Sequence, residues 1–310
     1  MLATSTQGAR RWRNIRRHAQ LYLLLLLPLL YLLLFRYAPM VGAQIAFRKY
    51  RVALGIWGSD WVGLENFRKF MGSYQFRRVI SNTLILSVYS LAAGFPLPIL
   101  LALALNTLRR QGIKRFLQTV TYLPYFISVV VVAGMVIQIF NVRTGLFGHA
   151  YGLLAGTTAP DLLASPAAFR HIYVFSGVWQ GVGWNSIIYI AALASVDPEQ
   201  HEAALLDGAT RFQRVIHVDF PAILPTVVIL LILQCGSLMS IGFEKAYLLQ
   251  NSMNLRASEV IATYVYKVGL SATGNYSYGA AIDIFNAAIN LSILTGVNWI
   301  SRKVAGSSLW

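Results

Sequence analysis

Charge is scarce in this 310-residue chain. Only 12% of the residues are charged, about half the share of an ordinary soluble domain, whereas 56% are apolar. The mean hydropathy is +0.57. Acidic residues are the scarcest charged type, with 11 against 26 Lys and Arg. This composition excludes a soluble globular domain and a disordered chain, and it predicts a protein that is solvated mainly by lipid.

Cysteine and catalytic motifs are also scarce. The single Cys235 excludes an intrachain disulfide and a cysteine metal cluster. None of the six lysines follows a glycine, as the lysine of a phosphate-binding P-loop must. His201-Glu202 lacks the second histidine of a zinc-protease helix, and no Gly-x-Ser-x-Gly elbow occurs. We therefore expect no enzymatic activity, no cofactor and no metal on this chain.

Long apolar runs, in contrast, are abundant. A membrane-spanning helix needs about 20 mostly apolar residues. Six segments qualify, namely Leu21–Phe35, Thr83–Leu105, Tyr122–Phe140, Ile172–Ser195, Ala222–Phe243 and Gly279–Ile300. The first is at the short end, and Ala19 and Gln20 can lengthen it. No small-x-small cleavage pattern follows the first, so we expect a retained helix rather than a signal peptide. The runs predict an all-α integral membrane fold with six transmembrane helices.

The basic residues give a preferred orientation. Alternate loops divide them evenly, thirteen on each side of the membrane. Their density differs, since the first 20 residues hold five and Asn106–Thr121 holds four, close to spans where the positive-inside bias acts. This favours cytoplasmic termini. With its basic residues divided between two faces, the chain is expected to contact membrane lipid and not nucleic acid.

Helix-capping signals predict two short helices between the fourth and fifth spans. Asp197 and Pro198 open the first helix, and Gly208 is a natural stop for it. Thr210 opens the second helix, which Pro221 is expected to end. A Gln three residues after each cap completes a capping box, at Gln200 and Gln213.

The charges of this connection indicate its surroundings. It carries two arginines and five acids, namely Asp197, Glu199, Glu202, Asp207 and Asp219. A helix lying on anionic headgroups would carry the opposite balance. A docking surface for a soluble partner is favoured over an amphipathic connector on the membrane. His217 and Asp219 are expected to be ordinary members of the loop.

The same connection resembles a known motif. Glu202-Ala203-Ala204, Gly208 and Pro221 have the spacing of the cytoplasmic EAA loop of importer-type ABC permeases, with Val218 and Phe220 replacing Ile and Leu. The resemblance implies a type I permease fold in which a coupling helix between helices 4 and 5 sits in a cleft of an ATPase subunit. The coupling residues it implies are Glu202, Ala203, Ala204, Asp207, Gly208 and Pro221.

Further strings along the chain resemble sugar permeases, particularly those of oligosaccharide and polysaccharide uptake. They are Tyr37–Phe47, Trp61–Phe67, Tyr122–Ser128, Gly242–Asn251, Thr263–Gly269 and Leu309-Trp310. Among these permeases, the strings resemble a permease subunit of a bacterial alginate importer. The resemblance implies a second permease subunit, two ATPase subunits that hold ATP and Mg²⁺, an extracytoplasmic solute-binding protein and a sugar substrate. It also implies a multi-pass protein of the bacterial inner membrane.

The resemblance and the apolar runs together divide the chain into four parts. These are a cytoplasmic basic tail (1–20), a first transmembrane helix with an extracytoplasmic loop (21–78), a permease core (79–301) and a cytoplasmic C-terminal tail (302–310). The core holds five transmembrane helices and the coupling loop 196–221.

Polar residues inside the spans are the candidates for a transport pathway. Asp283, Asn286 and Asn290 share one face of the sixth helix. Gln234 with Ser237 on the fifth helix, Gln138 and Asn185 extend the set. Hydrogen bonding between helices is the alternative role for the amides. Four aromatic residues could stack on sugar rings or belong to an interfacial belt, namely Tyr173, Trp179, Trp184 and Tyr189.

Two other functions remain open from the residues alone. An ion-gradient-driven secondary transporter or channel would use Asp283 as a proton or cation site. A membrane-embedded enzyme is the third possibility. For an importer, the basic outer face would suit a polyanionic sugar such as alginate, and equally an acidic binding protein.

Overall fold

The computed structural model describes residues 17–271 and 274–304. Most of the two predicted tails, 1–20 and 302–310, lies outside these residues, as does Leu309-Trp310. The described part is mostly helical, and its helices are numbered here in chain order.

The first helix, α1, is much longer than the predicted Leu21–Phe35 span. It runs over Ala19–Phe47, with α-helical turns to Leu32, π turns to Tyr37 and 3-10 turns to Phe47. The apolar string after Tyr37 continues the helix into the predicted outer loop. None of the residues Ala19–Leu32 is buried. This leucine-rich half therefore presents its side chains to lipid or to another subunit.

A small β-hairpin follows and departs from the all-α prediction. Strand β1 (Arg48–Arg51) pairs antiparallel with β2 (Ser59–Trp61), with Arg48 opposite Trp61. The Arg48 guanidinium donates to the carbonyl of Ser59 at 2.8 Å and lies 5.4 Å from the Trp61 ring centroid. Between the strands lie a 3-10 turn, Val52–Leu54, and a helical turn, Gly55–Gly58. A short helix, α2 (Glu65–Met71), comes next.

The second long helix, α3 (Tyr74–Asn106), also exceeds its predicted span. The hydroxyl of Ser73 caps its start by accepting the Phe76 N–H. Pro96 sits at the first position of the segment Pro96–Asn106, and the helix continues past it. Its 33 residues reach about 50 Å at 1.5 Å per residue.

The predicted third span, Tyr122–Phe140, is broken. Helix α4 (Gln111–Phe126) meets α5 (Val129–Ile139) at a bend of 98°. The hydroxyl of Ser128 accepts the Val131 N–H and starts α5 as a separate helix. The 11 residues of α5 cover about 16 Å, half of a hydrocarbon core, so α5 alone is too short to cross. A short apolar helix, α6 (Leu146–Ala155), follows.

The remaining helices are α7 (Pro166–Ala194), α8 (Pro198–Leu206), α9 (Arg211–Gly236), α10 (Phe243–Leu249), α11 (Leu255–Ser258), α12 (Ile261–Val265) and α13 (Tyr276–Val304). π turns, Tyr266–Ser271, follow α12. Helix α9 ends at Gly236, whereas the predicted fifth span continued to Phe243.

Pro221 does not end a helix, contrary to the prediction. Helix α9 passes through it, because the turn before it, Val215–Asp219, is a π turn. A proline lacks an N–H and its ring clashes with the carbonyl four residues earlier in a regular α-helix. The wider i→i+5 turn displaces the carbonyls before Pro221, and the helix continues.

Four of the helices among the described residues are long and apolar enough to cross a membrane, namely α1, α3, α9 and α13. The bent pair α4 and α5 gives a fifth if it counts as one span. The predicted fourth span lies in α7, which has the length but carries polar residues such as Gln180 and Asn185 along it. The chain is thus an integral membrane protein with four clear apolar spans.

The buried apolar side chains form three clusters, and α3 contributes to all of them. Leu86 packs with α5, α7 and α10, Val79 packs with α2, α12 and α13, and Ile99 packs with α7 and α9. Gly183 lets α7 approach α4 closely, because a Cβ there would collide with the Thr121 carbonyl. Helix α3 therefore connects one end of the molecule to the other.

Candidate functional site

Both short helices of the loop 196–221 begin at the predicted capping residues, but the capping box predicted at Gln200 is not formed. The Asp197 carboxylate accepts the Glu199 N–H at 3.0 Å and caps α8. Thr210 and Gln213 form a reciprocal capping box at the start of α9. The N–H of Gln200 bonds to the carbonyl of Asp197 instead of its side chain. These caps satisfy backbone N–H groups that a helix start leaves free.

Gly208 ends α8 in the left-handed conformation that only glycine adopts at little cost. Its φ is +76°. Its N–H donates to the Leu205 carbonyl at 3.1 Å, and the Ala209 N–H donates to the Ala204 carbonyl at 2.9 Å. The predicted stop is confirmed, and it sets the turn between α8 and α9.

Around Gly208 the loop exposes apolar side chains together with acids. Leu206 is 91% exposed and Phe212 is 73% exposed. Glu202, Ala203 and Asp207 are also exposed, while Ala204 is half-buried. The turn therefore presents apolar and acidic side chains on one exposed surface.

Asp219 is a functional candidate that sequence reasoning passed over. Its side chain is 3% exposed although it belongs to the loop. Its Oδ1 lies 3.3 Å from His201 Nε2 on α8 and accepts a hydrogen bond from Asn106 Nδ2 at 3.3 Å. One carboxylate therefore joins α8, α9 and the end of α3. The available signal in the sequence was a single acid directly before an apolar run.

A second group of predicted residues meets in a cavity of about 280 Å³ between α3, α7, α9 and α10. Asn185 and Gln234, both predicted pathway residues, line it from α7 and α9. The other polar side chains that line it are Ser90, Tyr173, Gln180 and Lys245. We name this space the lysine cavity. Its amides, hydroxyls and one ammonium are groups that can hydrogen-bond sugar hydroxyls.

Lys245 was placed by the sequence in an outer loop, but its side chain is 8% exposed on α10. Its Nζ donates to the Tyr173 carbonyl at 2.7 Å and lies 4.9 Å from the Tyr173 ring centroid. Burial lowers the pKa of this ammonium to about 8, so it stays largely protonated at neutral pH. The lysine thus supplies a positive charge to the cavity.

The predicted polar face of the sixth transmembrane helix, which is α13 in the structure, lies outside the lysine cavity. Asn290 accepts the Met239 N–H at 2.8 Å and donates to the Ser240 hydroxyl at 3.0 Å. Asn286 Nδ2 lies 3.5 Å from the Met239 carbonyl. These two amides form hydrogen bonds with the segment that follows α9 and thereby attach that segment to α13. Hydrogen bonding between helices is the alternative role given above for the amides. Their place in a pathway stays a prediction.

Asp283 is exposed on α13, outside the lysine cavity. Over residues 17–271 and 274–304, no cation lies within ion-pair distance of its carboxylate, and no group of three metal-ligating side chains is present. Ser237 lines a neighbouring cavity of about 280 Å³. Gln138 bonds weakly to Thr144 at 3.5 Å.

The four aromatic candidates have different surroundings. Tyr189 packs in the core at 2% exposure, and Tyr173 lines the lysine cavity. Trp184 stacks on Tyr125 with centroids 4.5 Å apart, next to the α4–α5 bend. Trp179 is 46% exposed. Of the four, Tyr173 alone has a placement that suits contact with a substrate in this cavity.

Comparisons with known proteins identify relatives over nearly the whole chain. Protein LplB of Bacillus subtilis is 40% identical over 300 residues, which is 97% of this chain and 94% of LplB. The polygalacturonan/rhamnogalacturonan transport system permease protein YteP of the same organism is 40% identical over 290 residues, 94% of this chain and 90% of YteP.

Solved structures show the same fold. A chain from the crystal structure of a bacterial alginate ABC transporter, in complex with a periplasmic protein bound to alginate pentasaccharide, superposes with a TM-score of 0.88 at 38% identity. The match covers 97% of this chain and 100% of that chain. The model of the binding-protein-dependent transport system inner membrane component family matches residues 94–306. The chain belongs to this family of ABC transport permeases.

Proposed function

We propose that this chain is a transmembrane subunit of an ATP-driven, binding-protein-dependent importer for an oligosaccharide or polysaccharide, with alginate among the candidates. The observation that carries the proposal is the loop 196–221, a capped, acidic, exposed turn tied to two long helices. The relatives named for sugar transport support a sugar as cargo.

In this proposal six crossings are made by α1, α3, the bent α4–α5 pair, α7, α9 and α13. Both termini are then cytoplasmic, and the loop 196–221 is cytoplasmic too. A P-loop is missing from the sequence, so ATP and Mg²⁺ bind to two partner ATPase subunits. A second permease completes the pathway, and an extracytoplasmic binding protein delivers the sugar.

The proposed mechanism is alternating access. Closure of the ATPase subunits around ATP moves α8 through its contacts at Glu202, Ala203 and Asp207. Asp219 lies on α9, and its carboxylate bonds to His201 of α8 and to Asn106 of α3. Through these contacts it passes the movement of α8 to α9 and α3. The lysine cavity then opens toward the binding protein, and hydrolysis of ATP restores the first state.

Isolation of the complex tests the proposal. We expect affinity-purified chain to bring with it one different permease and two ATPase subunits. Glu202→Lys is expected to keep the second permease and lose the ATPase subunits, because it reverses a charge on the exposed docking surface.

The matched control for that experiment is Glu244→Lys, which makes the same change at an exposed acid on α10. It is expected to retain all partners. Purification of this chain alone, or ATPase subunits that remain bound in Glu202→Lys, would contradict the proposed docking surface.

A further inference from the structure

A larger cavity, of about 950 Å³, lies at the end of α3 and α7 remote from the loop 196–221. Four arginines line it, and no Asp or Glu does so among the described residues; the four are Arg77, Arg78, Arg170 and Arg256. We name it the arginine cavity. The four arginines lie on α3, α7 and α11, so the fold brings together residues that are distant in the sequence.

The positive charge of the arginine cavity is only partly neutralised. Glu259, 4% exposed, forms ion pairs with Arg78 and with Lys267, so one carboxylate serves two cations. Arg170 bonds to the neutral amide oxygen of Asn82 at 3.4 Å. The Nε atoms of Arg78 and Arg170 are buried and have no hydrogen-bond partner in the described part of the chain. The cavity therefore favours an anion.

The N-termini of two helices add to the positive charge of the arginine cavity. Ser73 caps α3 and Ser165 caps α7, and the residues that follow the caps, Tyr74 and Pro166, line the cavity. The N-terminus of a helix carries a partial positive charge and attracts anions. Both long helices point their positive ends at the same space as the guanidinium groups.

The arginine cavity and the lysine cavity are arranged in series along the same two helices. On α3, Asn82 lines the first and Ser90 lines the second. On α7, Arg170 lines the first, and Tyr173, one turn further on, lines the second. The linings of the two cavities thus follow one another along both helices, with the buried Leu86 of α3 between them.

We propose that the arginine cavity binds the carboxylates of an acidic oligosaccharide, a chain of uronate units, before it reaches the lysine cavity. This inference rests on the proposed function and specifies the substrate class. Guanidinium groups pair with carboxylates through two parallel N–H···O bonds, which a neutral sugar cannot accept with the same strength. A concave space of this volume suits an inserted sugar better than the flat surface of a protein.

The test compares two sugars in the complete transporter with its binding protein. The probes are an oligogalacturonate and its carboxyl-reduced, neutral counterpart of the same length. For Arg170→Gln and Arg256→Gln we expect the KM of uptake to rise about tenfold for the acidic sugar and to stay unchanged for the neutral one. Arg256 is exposed, so its variant keeps the test valid if Arg170→Gln folds poorly.

The control is Arg143→Gln, an exposed arginine outside the cavity, which is expected to leave both KM values unchanged. Equal effects on both sugars, joined to weaker binding of the sugar-free binding protein, would assign the arginines to protein docking and overturn the inference. Unchanged KM values in both variants would overturn it and leave the proposed function intact. A complex that imports neither sugar overturns the inference, and the co-purification of the ATPase subunits then tests the proposed function separately.

Discussion

Replacing Gly208 with proline is expected to lower transport by the assembled complex at least about a hundredfold, while the chain still inserts into the membrane. Proline fixes φ near −65° and has no N–H. The native φ is +76°, and the Gly208 N–H bonds to the Leu205 carbonyl. The turn between α8 and α9 would be rebuilt, and Glu202 would leave its place. Sugar uptake and sugar-stimulated ATP hydrolysis measure the effect.

Gly156→Pro is the matched control, since Gly156 also ends a short helix with a positive φ, +65°, and an N–H bonded back to that helix. It places the same strain in the connection after α6, away from the loop 196–221. We expect much smaller losses there. Equal losses in the two variants would attribute the effect to general destabilisation and not to coupling.

Replacing Asp219 with alanine is expected to lower transport about tenfold to a hundredfold, with ATP hydrolysis persisting without sugar. A hydrogen bond to a charged group contributes about 1.5–3 kcal/mol, which corresponds to that range. The change leaves His201 and Asn106 without their shared acceptor. Movement of α8 would then no longer reach α9 and α3. The measurement is the ratio of sugar transported to ATP hydrolysed.

A double-mutant cycle with His201→Ala separates coupling from simple loss of stability. If the His201–Asp219 contact transmits the movement, the double variant should lose little more than Asp219→Ala alone. Fully additive losses would show that the two residues act independently and would remove Asp219 from the proposed mechanism.

The sequence was sufficient for the features that depend on neighbouring residues. Apolar runs located the long helices α1, α3, α9 and α13, and capping residues such as Asp197 and Thr210 located the starts of α8 and α9. The Gly208 stop follows from the same local chemistry. The prediction that Pro221 ends a helix is wrong because the preceding π turn accommodates the proline ring. The proline itself does not determine the type of turn that precedes it.

Features that depend on contacts distant in sequence could not be predicted. Helix α9 ends at Gly236 because Asn290, more than fifty residues later, satisfies the backbone beyond it. From the sequence, Lys245 is expected to be an exposed cation of a loop. The fold instead buries it against α7, where the Tyr173 carbonyl accepts its hydrogen bond. Asn185 and Gln234 were found as polar residues in spans, but only the fold brings them to one cavity.

Reconstituted uptake tests the central claim most directly. The complete complex is placed in vesicles that carry ATP on the side of the loop 196–221, and entry of labelled oligosaccharide into that compartment is measured. The account predicts uptake that requires hydrolysable ATP and survives both the collapse of ion gradients and the Asp283→Asn substitution. Uptake driven by an ion gradient without ATP, and lost in Asp283→Asn, would contradict it and establish an ion-coupled transporter.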